Sequence, residues 1–331
     1  MRGALLASTE VLVDVVLVDN GCTSDAVRRL SDVERVRVVQ PGSNTGFAGG
    51  CNLGARLASG DVVAFVNSDA VVRPTARRAL AGALRAGDVG IASGSLRLRD
   101  RPEVINSAGN PVHYLGLSWA GGLGEPATDH ARPRSVASAC GGLMALRRET
   151  WEALGGFYEP MFAYCEDVEL SLRCWQRGWS VRYVPEAVAT HDYQFSRNSQ
   201  KLYLLERNRL LVLLTLYEGR TLLLLLGPLL GLEVAVLAVA AAQGWAGQKT
   251  RGWWWLLRHH REVRRRRRHV QTVRAVPDAG IVPLLADRFA PGAESGFAVP
   301  PAATVASVWY WRAVRRSFGQ VSVGSPESSL R

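Results

Sequence analysis

Short apolar runs that end in polar residues constrain the fold of this 331-residue chain most strongly. Val11 to Asp19 is one such run and is followed by Asn20-Gly21, while Val62 to Val66 is another and is followed by Asn67-Ser68-Asp69. Continuous apolar runs of this length are typical of strands that are buried on both faces of a sheet. Segments with helical periodicity lie between the runs, so the sequence predicts an α/β domain.

The polar strand ends are candidate ligand-binding positions. Ligands of open α/β sheets bind outside the carboxyl ends of the strands, which is where Asp19, Asn67 and Asp69 fall. The alternative for Asp19 is a carboxylate that caps the Asn-Gly turn, and an Asn-Ser-Asp sequence after a strand is more often a simple turn. The residues alone leave both interpretations open.

A glycine-rich stretch, Asn44-Thr-Gly-Phe-Ala-Gly-Gly-Cys-Asn-Leu-Gly54, follows the predicted strand Arg35–Gln40 and leads into a helix. Glycines allow a backbone to approach a ligand closely, and the N-terminus of a helix attracts phosphate. The lysine of a P-loop is absent, so this signal is weak without further support. Close packing of the helix against a strand explains Gly54 equally well.

Three acidic residues, Glu166, Asp167 and Glu169, open a predicted helix after a Gly-Gly turn. Carboxylates are favoured in a first helical turn because unpaired N–H groups and the helix dipole attract negative charge, so capping alone explains them. A predicted strand, Trp179 to Val184, follows this helix, and we expect His191 in the loop after it. Such a histidine is usually an ordinary surface residue, although imidazole also binds Mn²⁺ or Mg²⁺.

The order and spacing of these motifs resemble the catalytic domain of family 2 glycosyltransferases, most closely the bacterial rhamnosyltransferase-like sub-group. The resemblance covers roughly residues 5 to 215. It rests on Val-Asp-Asn-Gly at residues 18–21, the Asn44 to Gly54 stretch, Asn67-Ser-Asp, Gly155-Gly-Phe-Tyr-Glu, Glu166-Asp-Val-Glu-Leu-Ser-Leu-Arg and His191. It implies a GT-A type fold, a mixed, mostly parallel sheet with helices on both faces.

The resemblance also implies a function. The reaction would be inverting transfer of a sugar from a nucleotide donor, with dTDP-rhamnose as the leading candidate, to a hydroxyl acceptor in cell-envelope polysaccharide synthesis. Asp167 would be the general base, with Glu166 beside it in the motif. Asp69 and His191 would bind a divalent cation, Mg²⁺ or Mn²⁺. The implied nucleotide-binding residues are Asp19, Asn44, Gly46, Asn52, Asn67 and Asp69.

One part of the family pattern is missing before Val11. The family begins with a strand and a helix, and Met1 to Thr9 match only the end of that helix. The absent strand would lie centrally in the sheet, and its loss would cost about 1–3 kcal/mol for each buried backbone group left unpaired. The alternatives are a start upstream of Met1 or a damaged nucleotide pocket, which would make the protein a non-catalytic sugar-nucleotide or glycan-binding relative.

The chain changes character after residue 200. Thr221 to Ala242 is leucine-rich and long enough to cross a bilayer, which needs about 20 apolar residues. Lys249 to Arg274 holds ten Lys or Arg residues and one acid, so it carries nine of the eleven net positive charges. A single span would place this block outside the cell, against the positive-inside preference. We therefore expect interfacial or re-entrant helices, broken at Gly227-Pro228, with the arginines on anionic lipid at the cytoplasmic face.

These features divide the chain into a catalytic domain (1–200), a membrane-associated helical segment (201–275) and a Pro/Ala/Gly-rich tail (276–331). The hydrophobic content of 47% excludes general disorder, and five cysteines without a Cys-x-x-Cys pair indicate reduced thiols in the cytosol. The basic run Arg264–Arg268 could bind nucleic acid, but no recognition module accompanies it, so we expect no such partner. The expected partners are a nucleotide sugar and a polyprenyl-linked glycan acceptor.

Overall fold

The computed structural model of the chain describes residues 13–23, 25, 27–192, 200–290 and 300–318. Met1 to Leu12, which include the predicted end of a first helix and the start of the first predicted strand, lie outside the described residues. The strands in the described chain are β1 Val15–Val18, β2 Val36–Val39, β3 Val62–Val66, β4 Ala70–Val72, β5 Val89–Leu98, β6 Ile105–Ser107, β7 Arg134–Ser135, β8 Leu143–Arg147 and β9 Ser180–His191.

The larger of two sheets has seven strands and is mixed, as predicted. Its central order is β3-β8-β5-β9-β4, with β6 paired to β5 and β7 paired to β9. Only β5 and β9 run parallel among the described pairs of this sheet, so the share of parallel pairing is smaller than expected. The reason is that a continuous apolar run reports burial on both faces of a strand, not the direction of its neighbours.

The smaller sheet consists of β1 and β2, which pair in parallel with Val15 opposite Val36. In the described chain neither strand pairs with the larger sheet. The resemblance to the family implies a further strand between β1 and the rest of the sheet, and the two described sheets are separate at that position. The helix that follows β2 packs against β1 and so keeps the smaller sheet in place.

The described helices lie on both sides of the sheet and continue beyond it. The helices are α1 Gly46–Leu57, α2 Ala76–Ala83, α3 Arg148–Leu154, α4 Glu166–Gln176, α5 Lys201–Leu216, α6 Gly219–Ala242, α7 Ala246–Arg258, α8 His260–Val273, α9 Asp278–Ile281 and α10 Pro301–Ser317. Phe65, Ile91, Leu146 and Leu170 are among the buried residues that join sheet and helices in one core cluster.

Helix α6 runs unbroken from Gly219 to Ala242, which corrects the predicted break at Gly227-Pro228. Proline has no N–H, so the carbonyl four residues earlier loses its helical partner. That carbonyl belongs to Leu224, and it accepts a hydrogen bond from the hydroxyl of Tyr310 on α10. A side chain from another helix therefore satisfies the group that Pro228 leaves free.

The predicted tail contains α10, which belongs to the core. Trp311 is fully buried and stacks on Tyr114 with 4.5 Å between the ring centroids. The Pro- and Ala-rich composition of this region did not predict a packed helix. The cause is that one face of α10 supplies Val308, Trp311 and Val314 to the core at helical spacing.

A buried cluster of four charged side chains fixes α6 and α7 to α5. The cluster consists of Glu206 and Arg209 on α5, Glu233 on α6 and Lys249 on α7. Lys249 is fully buried and lies 2.8 Å from Glu233, which also accepts a hydrogen bond from the indole of Trp253 at 2.6 Å. Removing one partner of a buried ion pair costs about 3–5 kcal/mol because the other charge stays buried without compensation.

Some arginines of the basic block Lys249 to Arg274 bind partners inside the protein. Arg266 binds the buried Glu169 of α4 at 2.6 Å, and Arg267 donates to the carbonyls of Leu214 and Tyr217 at the end of α5. Arg264, Arg265 and Arg268 are exposed. The expectation that the arginine run lies on lipid therefore applies at most to its exposed members.

Candidate active site

The chain enters the acidic helix α4 through a strained loop. Phe162, Tyr164 and Cys165 have φ values of 65°, 68° and 64°, although none is glycine. Left-handed non-glycine residues cost of order 1–3 kcal/mol each and persist only where the surroundings hold them. Cys165 is the last residue before α4, so the loop determines where Glu166 and Asp167 lie.

Two side chains of α5 hold this loop. Arg207 donates to the carbonyls of Pro160 and Met161, each at 2.8 Å. Asn208, which is fully buried, donates to the carbonyls of Met161 and Ala163 at 2.9 Å and of Tyr164 at 2.6 Å. The sequence analysis missed both residues, and their signal is a run of four polar residues, Glu206 to Arg209, inside an apolar helix.

The glycine-rich stretch docks against the same loop. Gly46 has φ +71°, and a Cβ on it would lie 2.3 Å from the carbonyl oxygen of Phe162. The amide of Ala48 donates to that carbonyl at 3.0 Å. Gly46 is therefore required for the close approach of the two segments, which brings the start of α1 next to the start of α4.

The asparagines of the glycine-rich stretch have partners inside the protein. Asn44 accepts a hydrogen bond from the amide of Gly46 at 2.9 Å. Asn52 is buried and pairs with both backbone groups of Phe157, and it also donates to Glu159. Asn52 is predicted to bind the nucleotide, which stays a prediction, and its contacts within the protein join α1 to the segment after the Gly-Gly turn.

Asp19 lies at the carboxyl end of β1, as predicted. Its carboxylate accepts hydrogen bonds from the amide of Cys22 at 2.8 Å and from Gln40 at 2.9 Å, and these lower its pKa. The contact with Cys22 is the one expected of a residue that caps the turn. The Asp19 side chain is nevertheless only half-buried. The next residue, Asn20, bonds to Thr45 and to the carbonyl of Gly46, so β1 and the glycine-rich stretch form one unit.

Asp69 and His191 are neighbours, with 3.0 Å between Oδ1 and Nε2. His191 lies at the end of β9, paired with Ala70, and not in a loop as predicted, because β9 continues past Val184. Nδ1 of His191 lies 2.9 Å from Oδ1 of the buried Asn106. Donation from Nδ1 to Asn106 orients the ring with Nε2 toward Asp69.

This pair has the donor atoms of a divalent cation site. A carboxylate oxygen and an imidazole nitrogen both bind Mn²⁺ or Mg²⁺, with phosphate or water completing the coordination. Asn67 is close by, with its Nδ2 3.5 Å from Nε2 of His191. Among the described residues, no group of three or more His, Cys, Asp or Glu side chains is placed to hold a metal ion.

Asp167 is held by backbone amides. Its Oδ2 accepts a hydrogen bond from Gly141 at 3.0 Å and its Oδ1 accepts one from Val168 at 2.8 Å. Burial raises the pKa of Asp167, although these hydrogen bonds oppose the shift. Asn110, which the sequence analysis did not identify, lies 3.5 Å from Oδ2.

One short segment, Gly141-Gly142, lies between Asp167 and the turn that carries Asn67 and Asp69. The amide of Gly141 donates a hydrogen bond to Asp167, and the carbonyl of Gly142 accepts a hydrogen bond from the amide of Asn67 at 3.1 Å. Gly141 also faces the ring of Phe47 at the start of α1. The segment thus brings together Asn67, Asp69 and His191 on one side with Asp167 and the glycine-rich stretch on the other.

The two glutamates of the acidic motif differ from Asp167. Glu169 is buried between Arg173 and Arg266, and although burial alone would raise its pKa, the two arginines lower it. Glu166 is buried, and its Oε2 has no hydrogen-bond partner among the described residues. Burial and the neighbouring Asp167 raise the pKa of Glu166 well above its usual 4.5.

The fold and the site define a glycosyltransferase of the GT-A type. The chain belongs to glycosyltransferase-like family 2, whose family model matches residues 4–210.

Two relatives show the range of this similarity. The chain is 31% identical over 217 residues to the N-acetylglucosaminyl-diphospho-decaprenol L-rhamnosyltransferase of Mycobacterium tuberculosis, covering 57% of this chain and 69% of the relative. It is 26% identical over 206 residues to polypeptide N-acetylgalactosaminyltransferase 11 of Xenopus tropicalis, covering 57% of this chain and 34% of the relative.

Among solved structures, GalNAc-T7 with UDP, GalNAc and Mn²⁺ matches with a TM-score of 0.52. The identity is 17%, and the match covers 62% of this chain and 42% of that one, so this likeness is one of fold.

Glu166→Gln should change how the stability of the protein depends on pH. Because the pKa of Glu166 is raised in the folded state, its proton stabilises the fold at low pH. That contribution is lost as the pH rises from 4.5 through the raised pKa, at up to about 1.4 kcal/mol per pH unit. Glutamine mimics the protonated acid, so thermal unfolding at a series of pH values should show a smaller loss in the variant.

Glu152→Gln, a change of an exposed glutamate on α3, is the matched control and should follow the wild type. The same pH dependence in wild type and Glu166→Gln would show that Glu166 does not hold a proton in the folded protein.

Proposed function

We propose that the protein transfers a sugar, with inversion, from a nucleotide donor to a hydroxyl of a polyprenyl-linked glycan in cell-envelope polysaccharide synthesis. The observation that carries this proposal is the Asp167 carboxylate, fixed by the Gly141 amide, across one short segment from Asp69 and His191. The leading donor is dTDP-rhamnose, since the Mycobacterium tuberculosis relative is named as a rhamnosyltransferase. The same name gives its acceptor as a decaprenol-linked substrate. UDP- and GDP-sugars are the alternative donors.

Asp167 would act as the general base. Its carboxylate accepts the proton of the acceptor hydroxyl while that oxygen bonds to the anomeric carbon and the bond to the nucleotide diphosphate breaks. A pKa raised by burial makes the carboxylate a stronger proton acceptor than an exposed aspartate. Glu169 is less suited to this role because Arg173 and Arg266 lower its pKa, which makes its carboxylate a weaker proton acceptor.

The donor side would use the other half of the site. Asp19 and Asn44 are proposed to contact the nucleoside, and Gly46 at the start of α1 is proposed to lie beside it while its Cα packs against Phe162. Asp69 and His191 would hold a divalent cation, which neutralises the charge of a leaving diphosphate. Asn67 would contact ribose or a coordinated water. Asn106 would position His191 through the hydrogen bond at Nδ1.

The protein is also proposed to bind the cytoplasmic face of the membrane through α6. Helix α6 is long and apolar enough to cross a bilayer, and only 6% of its most apolar window is buried. Leu223, Leu226, Leu230 and Val234 form an exposed stripe along it. Because Lys249 and Arg266 bind partners on α5 and α4, the helices after α6 stay on the side of the catalytic domain. An interfacial position satisfies these contacts, whereas a span would separate them.

A non-catalytic binding relative is the second candidate function. It is favoured by the separation of β1 and β2 from the larger described sheet, since Asp19 belongs to the smaller one. Donor binding without transfer to any acceptor, in protein with an intact Asp167, would decide for this candidate.

Asp167→Asn should lower the transfer rate by roughly two to four orders of magnitude, because an amide cannot accept the proton of the hydroxyl at neutral pH. Asparagine keeps one of the two oxygens that accept from Gly141 and Val168, so the variant should fold, with a free energy of unfolding lower by about 1–3 kcal/mol. Transfer rate and donor affinity are measured in the same preparation, and donor affinity should be retained.

Asp100→Asn, at an exposed aspartate, is the control for the loss of one carboxylate. A folded Asp167→Asn variant that transfers sugar at the wild-type rate would exclude Asp167 as the base.

Asp69→Ala should abolish metal-dependent donor binding without unfolding the protein, since the Asp69 side chain is 37% exposed at the end of a strand. Calorimetry with Mn²⁺ and the nucleoside diphosphate measures the effect, and the titration without Mn²⁺ serves as the control. Equal affinity in wild type and variant would remove Asp69 from the site.

The triple variant Leu226→Ser, Leu230→Ser, Val234→Ser should bind vesicles at least about tenfold more weakly. The reason is that burying each of these three apolar side chains contributes about 1.5–3 kcal/mol. All three side chains are exposed, so the fold should persist. Co-sedimentation with anionic vesicles measures binding, and high salt should release the wild type only in part, since salt screens arginines but not leucines. Full release of the wild type by salt would contradict a membrane-inserted α6.

A further inference from the structure

A groove of about 700 Å³ lies between helices α5, α6, α7 and α8, outside the site described above. Leu214, Leu222, Leu256 and Leu257 give it an apolar lining. Its basic lining residues, His260, Arg264 and Arg267, all belong to α8. The groove therefore combines apolar walls with one cationic wall, and its volume is in the range of ordinary ligand pockets.

The groove opens beside the apolar surface of α6 and α7. Leu257 lines it and is 66% exposed. Leu222 lines it from α6, one helical turn before the exposed Leu226. The groove is therefore continuous with the stripe proposed to contact the membrane, and a lipid can enter it from that surface without crossing water.

The cationic wall is anchored to the catalytic helix. Arg266, next to the lining residue Arg267, binds Glu169, which is two residues after Asp167. On the same helix, outside the groove lining, Glu262 accepts a hydrogen bond from Tyr158 at 3.1 Å, and Tyr158 lies under the guanidinium of Arg266. The groove and the proposed base therefore belong to one connected set of contacts.

Arg264 has the properties of an anion-binding residue. It is exposed, lines the groove, and makes no ion pair within the described residues. Arg267 already donates to two carbonyls, so it adds charge at a fixed position. A guanidinium presents paired donors that match the oxygens of a phosphate group.

We propose that this groove binds the prenyl chain of the lipid-linked acceptor, with the phosphates of the lipid on Arg264. This inference rests on the proposed function and adds the place where the acceptor lipid is held. The apolar walls match a hydrocarbon chain and the cationic wall matches its diphosphate, so chain and charge are recognised together. An anionic membrane lipid offers the same charge, and the experiment below separates the two.

The test is the binding of radiolabelled farnesyl diphosphate to the full-length protein in phosphatidylcholine nanodiscs, by equilibrium dialysis with empty nanodiscs subtracted. We expect saturable binding that neither inorganic diphosphate nor farnesol matches within about tenfold, because charge and chain both contribute. Arg264→Glu and Leu257→Asp should each weaken binding at least about tenfold. Both positions are exposed, so both variants should fold.

Two matched controls test the location. Arg265→Glu changes the same charge on the adjacent exposed residue outside the groove lining, and Val305→Asp changes an exposed apolar residue on α10, away from both the groove lining and the stripe of α6. Both should retain wild-type affinity. An equal loss with Arg265→Glu, no saturable binding, or equal displacement by lysophosphatidic acid would overturn the proposal, the last by identifying a general anionic-lipid surface.

This assay uses neither donor nor transfer, so it separates the two proposals. Normal farnesyl diphosphate binding in a protein that transfers no sugar would contradict the proposed function and leave the groove assignment intact. Transfer to a soluble acceptor without farnesyl diphosphate binding would do the reverse.

Discussion

The hydrogen bonds from Arg207 and Asn208 to the loop before α4 are the contacts on which the site depends. They are accepted by the carbonyls of Pro160, Met161, Ala163 and Tyr164, and they hold a loop in which three non-glycine residues have positive φ values. The carbonyl of Phe162 in this loop also accepts a hydrogen bond from the amide of Ala48. The same contacts therefore set the position of the glycine-rich stretch. The glycine-rich stretch and the start of α4 are thus positioned by one pair of side chains on α5.

Much of the catalytic domain could be predicted from sequence because its signals are local. The polar ends of β1 and β3 predicted the positions of Asp19, Asn67 and Asp69, and the acidic start of α4 predicted the position of Asp167. The roles of these residues stay predictions. What the sequence did not reveal is how residues far apart in the chain contact one another. Asn52 looks like a ligand contact within its motif, yet its partner Phe157 lies 105 residues away. The hydrogen bond from Asn106 to His191 depends in the same way on a long-range approach.

The C-terminal helices were less predictable, because the decisive contacts there are pairwise and polar. A Gly-Pro pair in an apolar run indicates a break, and the run stays helical because Tyr310 satisfies the carbonyl that Pro228 frees. Glu233 lies in the same apolar run, and its carboxylate pairs with Arg209 and Lys249. Composition reports how apolar a segment is, not which of its faces is covered.

These polar contacts also determine how the start of α4, with Asp167, is oriented relative to the exposed stripe of α6. The ion cluster fixes α6 and α7 to α5, and Arg207 and Asn208 on α5 fix the start of α4. Arg266 fixes α8 to the same helix α4 from the other side. Because each link is a buried hydrogen bond or ion pair, sliding α6 along α5 would leave buried charges unpaired. A membrane that contacts α6 would therefore hold Asp167 at one fixed orientation, as an enzyme with a lipid-linked acceptor requires.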